Sequence, residues 1–349
     1  MMEQYPKLYL TKPEELPLHR EEVSQNCSPE ILDAIADCTQ KLRSSTDAEA
    51  LSQIRVTLNQ ISLYLPCPIH RHPIVKTSVE QTEKDYYVNI VDDYMGVIRV
   101  KGDSGVILLW SILQAYAELL EEALTAGTYL EAAQWSNLRH AFESTLRYLG
   151  QESVESAPNP FLIPLTLSTP DPANFDPLRR WVIGHHIFYV IIQNLVVALN
   201  CFHTEIVSGR FHEAEKAMAL ATFLMWGSES ALQFTGDSSQ SQFQDVVRPS
   251  MMPPHAPPGL SGQFSRDHIY LVKLLSQLKP TFANLNSNLA IEHQQFVKAF
   301  EAAYEAHKFV CGKFVGIKSQ SLRMNSSSTK SAVAVIDDLK ILRLKNLKG

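Results

Sequence analysis

The residues best placed to do chemistry lie on one predicted helix, from about Leu289 to Phe314. His293, Phe296, Phe300, Ala303, His307, Cys311 and Phe314 recur at steps of three and four, so they share a face. That face is otherwise apolar and aromatic, as the inner side of a large helix should be. His307 and Cys311 stand at i and i+4, one turn apart and pointing the same way. An imidazole there can reach a metal while the thiol reaches a group one turn along. A heme meets that demand: its iron lies at the macrocycle centre and its vinyl groups at the rim. His-x-x-x-Cys can then ligate the iron and form one thioether. With 12 histidines and 5 cysteines in the chain, roughly 0.2 such pairs are expected by chance. Spacing alone therefore leaves a second reading open, a satisfied core histidine beside a buried free thiol.

His268 is the next candidate. It stands in Ser265-Arg266-Asp267-His268, at the start of a predicted helix that runs to about Leu278. A polar first-turn residue facing solvent is the competing reading there. His185 and His186 lie in the most apolar helix, where a polar group needs a partner. Either one lines a pocket, or both are hydrogen-bonded core histidines. Arg248 is placed to bind a substrate carboxylate bidentately, against the reading of a solvated loop arginine. Tyr304, three residues before His307, lies near the same plane. Zinc fits poorly. No second Cys/His pair stands at short spacing, His70 and His72 fall on a loop, and adjacent His185 and His186 point to different helix faces. Gly-x-Ser-x-Gly, a phosphate-binding Gly-rich loop and His-Glu-x-x-His are all absent.

The elements that must position these residues are mostly helical. Ser28-Pro29-Glu30 opens a helix towards Leu42, and a second covers roughly Ala48–Leu63. Pro66, Pro68 and Pro73 break the chain around Cys67. Tyr86–Tyr94 and Val97–Val100 hold β-branched and aromatic runs that read as a small hairpin or edge. Helices then follow over Val106–Leu124, Tyr129–Leu149, Pro177–Ser208 and His212–Leu232. Two proline-rich excursions, Glu152–Asp176 and Arg248–Gly262, are where a pocket lid would sit. The basic tail Lys340–Lys348 reads as a solvated helix face. The expected organisation is a lead-in over 1–30 and one large, mostly α-helical domain over 31–349.

Composition narrows the classes. The 349 residues are 45% hydrophobic and 19% charged, which excludes disorder across the chain. A net charge of −6 is the wrong sign for nucleic acid. Fourteen glycines are too few for a Rossmann or repetitive β architecture. Five scattered cysteines fit a reducing cytoplasm rather than a disulfide scaffold. The polar, proline-punctuated stretch Met1–Pro17 predicts no export signal. Trp181–Phe202 is long enough to span a bilayer but carries Gln193, Asn194 and Asn200 besides its histidines, so a buried central helix is expected and no membrane partner.

The order of His268, then, some forty residues on, His307-x-x-x-Cys311, resembles the pattern of the histidine-ligated heme-dependent aromatic oxygenases. Within that group it is most similar to the 3-methyl-L-tyrosine hydroxylases of saframycin-type biosynthesis, relatives of tryptophan and indoleamine 2,3-dioxygenases. Arg248-Pro249 with Met252-Pro253-Pro254, then a helix, then the helix of Tyr304 and His307, also looks like the carboxy-terminal half of indoleamine dioxygenase-like proteins. Asn325–Thr329 stands where that superfamily has a Gly/Thr-rich loop; here it is serine-rich, with Ser326 a candidate substrate contact. The resemblance covers roughly 181–345, and the first 180 residues only in helical character. It implies a tryptophan dioxygenase-like helical fold. It also implies heme with His307 and His268 as axial ligands, Cys311 in a thioether, and His268 able to leave during turnover. The implied activity is hydroxylation of tyrosine or 3-methyltyrosine to a catechol with hydrogen peroxide, or O2 plus a reductant, in natural-product biosynthesis. A homodimer is the implied assembly to test. An indole-directed heme dioxygenase and a non-enzymatic heme-binding protein are the alternatives.

Overall fold

The computed structural model describes residues 4–44, 47–65, 83–150, 167–258, 260–316 and 330–348. His70, His72, Cys67, Ser326 and most of the Glu152–Asp176 excursion lie outside the described residues. The chain opens with strand β1 (Leu8–Leu10), a short α1 (Glu21–Ser24), and helices α2 (Pro29–Ser44), α3 (Ala48–Tyr64) and α4 (Glu83–Met95). Strand β2 (Val97–Arg99) precedes α5 (Ser104–Ala126), α6 (Ala132–Leu149), α7 (Pro177–Val207) and α8 (Phe211–Thr235). One-turn helices α9 (Gln240–Gln242) and α10 (Arg248–Ser250) flank a π-helical turn, and α11 (Arg266–Phe282), α12 (Ser287–Val315) and α13 (Ala332–Leu347) complete the fold.

The long helices start where short polar side chains satisfy their free N–H groups. Asp103 accepts from Val106 at the head of α5, Asp176 from Leu178 and Arg179 at α7, and Asn286 from Leu289 at α12. Pro177 occupies the first turn of α7, where no N–H is missed. Helices α5 and α12 stop at Gly127 (φ 77°) and Gly316 (φ 95°), in backbone conformations that favour glycine.

Helix α7 is the centre. It packs against α8, α5 and α11, while α8 packs against α12 and α6, and α13 lies across α11 and α12. Although α7 is long and apolar enough to cross a membrane, 89% of its most apolar window is buried inside the protein. Gln193 and Asn194 explain why it tolerates polar groups: both donate to carbonyls within the core. Gly184 lets α7 and α8 approach, because a Cβ there would sit 2.1 Å from Thr235 Oγ1 and 2.8 Å from its Cβ. Gly184→Ala is expected to lower stability by about 1–3 kcal/mol through overpacking, read from the midpoint of a urea unfolding curve. An unchanged midpoint would mean the two helices are not locked at this crossing.

Two expectations are corrected. Tyr86–Tyr94 is helical, because Val88, Val91, Tyr94 and Met95 recur at helical spacing and are all buried. That period outweighs the β-like composition. Val97–Arg99 does form a strand, but it pairs in parallel with β1, Leu8 opposite Val97 and Leu10 opposite Arg99, so no hairpin exists. Within the lead-in, Leu8 and Leu10 are fully buried and Leu16 and Val23 nearly so. The Arg248–Gly262 excursion opens with α10 and continues through hydrogen-bonded turns.

Candidate active site

A cavity of about 280 Å³ opens between α7, α8, α11, α12 and α13. Its walls are mainly apolar, and His185, His268, His307 and Cys311 face into it. His307 and Cys311 come from α12, one turn apart, as their spacing requires. His268 comes from the first turn of α11 and His185 from the third turn of α7. Among the described residues, no three His, Cys, Asp or Glu side chains converge as a metal ion would need. A heme iron takes four ligands from its macrocycle, so one or two histidines suffice, and this donor set fits that case.

Burial sets the protonation of all three imidazoles. His307 is held down to about 4 by desolvation alone. His268 falls to about 4 through burial, helped by the charge of Arg343 and by His307. His185 is also lowered to about 4, burial being opposed by its bond to the Trp181 carbonyl and reinforced by His186 and His307. At pH 7 each ring is neutral and keeps a lone pair, the form that ligates a metal. The His185 tautomer follows from geometry: Nδ1 lies 2.7 Å from the Trp181 carbonyl, which can only accept. Nδ1 therefore carries the proton and Nε2 is left as an acceptor. Burial also pushes the Cys311 thiol up to about 11, so it is a neutral thiol rather than a thiolate.

The first turn of α11 is anchored from below. Asp267 is fully buried and accepts from Arg99 Nη1 (3.1 Å) and Nη2 (2.5 Å) and from Gln193 Nε2 (2.8 Å). Arg99 also pairs with Asp92, at 3.0 and 2.8 Å, and donates to the Thr11 carbonyl at 3.0 Å. His268 is thus carried by a turn pinned to β2, α4 and α7. On the other side, Tyr94 contributes a hydroxyl paired with Ser250 at 2.7 Å, its own acidity suppressed by burial to about 12. Phe243 and Phe314 stack at 4.3 Å to close the end near the π-helical turn.

Two other candidates from the sequence are not brought to the cavity. His186 is a core histidine whose Nε2 donates to the Met95 carbonyl at 2.7 Å. One helical step of about 100° separates it from His185, so only one of the two can face the cavity. Arg248 donates to Gln244 at 3.1 Å and lies outside the lining. Ser326 falls among the residues not described. Conversely, sequence reasoning passed over α13. Ala332, Val335, Ile336 and Leu339 line the cavity, and their steps of three and four were visible. The basic side of that helix stays exposed at Lys345 and Lys348 and is also tied to α12: Lys340 pairs with Glu305, Lys348 with Glu301 at 2.9 Å, and Asp337 with Lys308 at 2.9 Å.

A family model described as SfmD 3-methyl-L-tyrosine peroxygenase matches residues 9–293. The chain belongs to this peroxygenase family. It is 36% identical over 252 residues to the 3-methyl-L-tyrosine peroxygenase of Streptomyces lavendulae, a match spanning 72% of this chain and 68% of that protein. The crystal structure of reduced SfmD, soaked with sodium hydrosulfite, superposes with a TM-score of 0.69 at 28% identity, covering 89% of this chain and 99% of that one. Peroxygenase family membership makes the chain an oxidoreductase acting on an aromatic amino acid. The family match begins at residue 9, so the likeness extends through the amino-terminal half, where the sequence had suggested only shared helical character. It includes His268 and ends before His307 and Cys311, whose assignment rests on the cavity itself.

Proposed function

We propose that this peroxygenase hydroxylates tyrosine or 3-methyltyrosine next to the phenolic hydroxyl, with heme as its cofactor. One ring C–H and one hydrogen peroxide become one ring C–OH and one water. The observation that carries this reading is the convergence of His307, Cys311 and His268 on a single apolar cavity in a chain of the peroxygenase family. His307 and His268 would hold the iron and Cys311 a rim vinyl group, and the bound heme would supply the oxidising chemistry drawn from peroxide.

The chain's own residues do the rest. Phe188, Phe300, Leu271 and Ile336 exclude water and give the aromatic ring an apolar bed. His185 Nε2 is placed as the acceptor for a phenolic proton. If His268 holds the iron at rest, it would have to release it to admit an oxidant, and substrate contacts would have to favour that open state. Because Asp267 is clamped by Arg99 and Gln193, the movement belongs to the His268 side chain and not to the helix. A cytoplasmic setting is proposed with this function, on five scattered cysteines that are too few and too uneven for a disulfide scaffold.

The test is turnover. Heme-loaded protein with hydrogen peroxide should convert tyrosine or 3-methyltyrosine to a product heavier by one oxygen atom, with catechol absorbance, and leave tryptophan intact. His268→Ala should shift the resting spectrum from low-spin to high-spin while heme stays covalently attached. A tryptophan product heavier by two oxygens, with the phenols untouched, would replace the hydroxylase by a dioxygenase.

A further inference from the structure

Helix α13 carries a cation whose partner is missing. Arg343 lies one turn beyond Leu339 and two beyond Ile336, on the same helix face as those two lining residues, and is not itself part of the lining. Its guanidinium reaches the Tyr304 hydroxyl, and its charge is felt by His268. Both of those residues line the cavity. The Nε of Arg343 is buried and has no hydrogen-bond partner. Among the described residues no carboxylate pairs with it, although Lys340 and Lys348 of the same helix each meet a glutamate of α12. Lys340 and Lys348 are neutralised by these glutamates, and Arg343 has no such partner among the described residues.

An arginine held against an apolar cavity with a buried, unsatisfied N–H is unfavourable unless something completes it. Its planar fork matches a carboxylate, which it binds through two parallel hydrogen bonds. The described cavity lining contains no Asp, Glu, Lys or Arg, so no other fixed charge competes for an anion there. Arg248, the carboxylate clamp suggested by sequence, already donates to Gln244.

We propose that Arg343 is the carboxylate-binding residue of this cavity, completed only when a ligand brings its own carboxylate. Resting on the heme and tyrosine reading above, the inference admits two sources with the same chemistry: the α-carboxylate of the amino-acid substrate, or a propionate of the heme. Tyr304 is the second donor to the same anion, because its hydroxyl already meets the guanidinium.

The experiment uses heme-loaded protein, with Arg343→Leu and Arg343→Lys beside wild type. L-tyrosine and 4-methylphenol, which lacks the carboxylate, are titrated against the heme spectrum. Loss of a charge-assisted pair should weaken tyrosine binding roughly 10- to 100-fold in Arg343→Leu and leave 4-methylphenol unchanged, if the substrate supplies the carboxylate. If the heme supplies it, both phenols keep their affinity. In the Cys311→Ser background, Arg343→Leu should then release heme to apomyoglobin roughly 10- to 100-fold faster, and this excess should vanish with heme dimethyl ester. Arg343→Lys should fall between the two in whichever arm responds, and it keeps the test alive should the leucine variant fold poorly. Protein that takes up heme and tyrosine, yet shows no change in either arm for either variant, overturns the assignment of Arg343 alone. Wild-type protein that takes up no heme overturns the underlying reading and this inference with it.

Discussion

His307→Ala should lose the axial bond and with it the cofactor's grip on the protein. The helix itself should survive, since alanine is the better helix former and α12 is capped independently by Asn286. With Cys311 intact, a covalently tethered heme would remain but show a shifted Soret band. In the Cys311→Ser background nothing covalent is left, and heme affinity should fall by at least about 100-fold, because loss of a mere outer-shell partner already costs about 10–100-fold. Peroxide-driven hydroxylation should disappear in both cases. Gel filtration followed by the pyridine hemochrome spectrum measures the retained heme. A well-folded His307→Ala protein with wild-type heme content and spectrum would remove His307 from the iron.

The second large effect concerns Cys311. Wild-type protein should appear in an intact-mass spectrum as polypeptide plus one heme, and acidified organic solvent should extract no heme from it. Cys311→Ser should appear at the bare polypeptide mass and release all its heme to the solvent, while His307 and His268 keep the native ligation and the folded spectrum. The contrast is all-or-none, since a thioether survives denaturation and an axial bond does not. Apoprotein mass for a heme-loaded wild type would reduce Cys311 to a small buried hydrophobe. The high pKa of that thiol makes the question sharper. A group pushed up to about 11 by burial is a poor nucleophile and poor prey for alkylating reagents, so protection from thiol reagents in the native state proves nothing and only denatured protein discriminates.

Periodicity made α12 legible. His293 through Phe314 marks one face at helical spacing, and the structure turns His307 and Cys311 on that face into the cavity. The starts of α5, α7 and α12 were within reach for the same local reason, a capping side chain before an apolar run. Other features were not local. Asp267 sits beside His268 in the chain, but its partner Arg99 is 168 residues away and gives no periodic signal. His185 and His186 could not be separated, because α7 is buried on nearly all sides and either ring would have faced protein. Tyr86–Tyr94 misled by composition, its β-branched and aromatic residues serving a helix packed on one side. In α13 the lysines drew attention to a surface, while the alanine, valine, isoleucine and leucine beneath them built a cavity wall.

The clamp of Arg99 on Asp267 also dictates an order of assembly. Strand β2 is seated by β1, so the guanidinium reaches its place only after residues near position 10 have met residues near position 99. The first turn of α11 then closes onto a segment from the opposite end of the chain, and such distant pairings form slowly because chain entropy is lost before they reward it. The His268 side of the cavity is therefore a late product of folding. If His307, Cys311 and His268 together hold a heme, cofactor arriving before this docking would meet His307 and Cys311 first, and His268 would follow when the amino terminus docks.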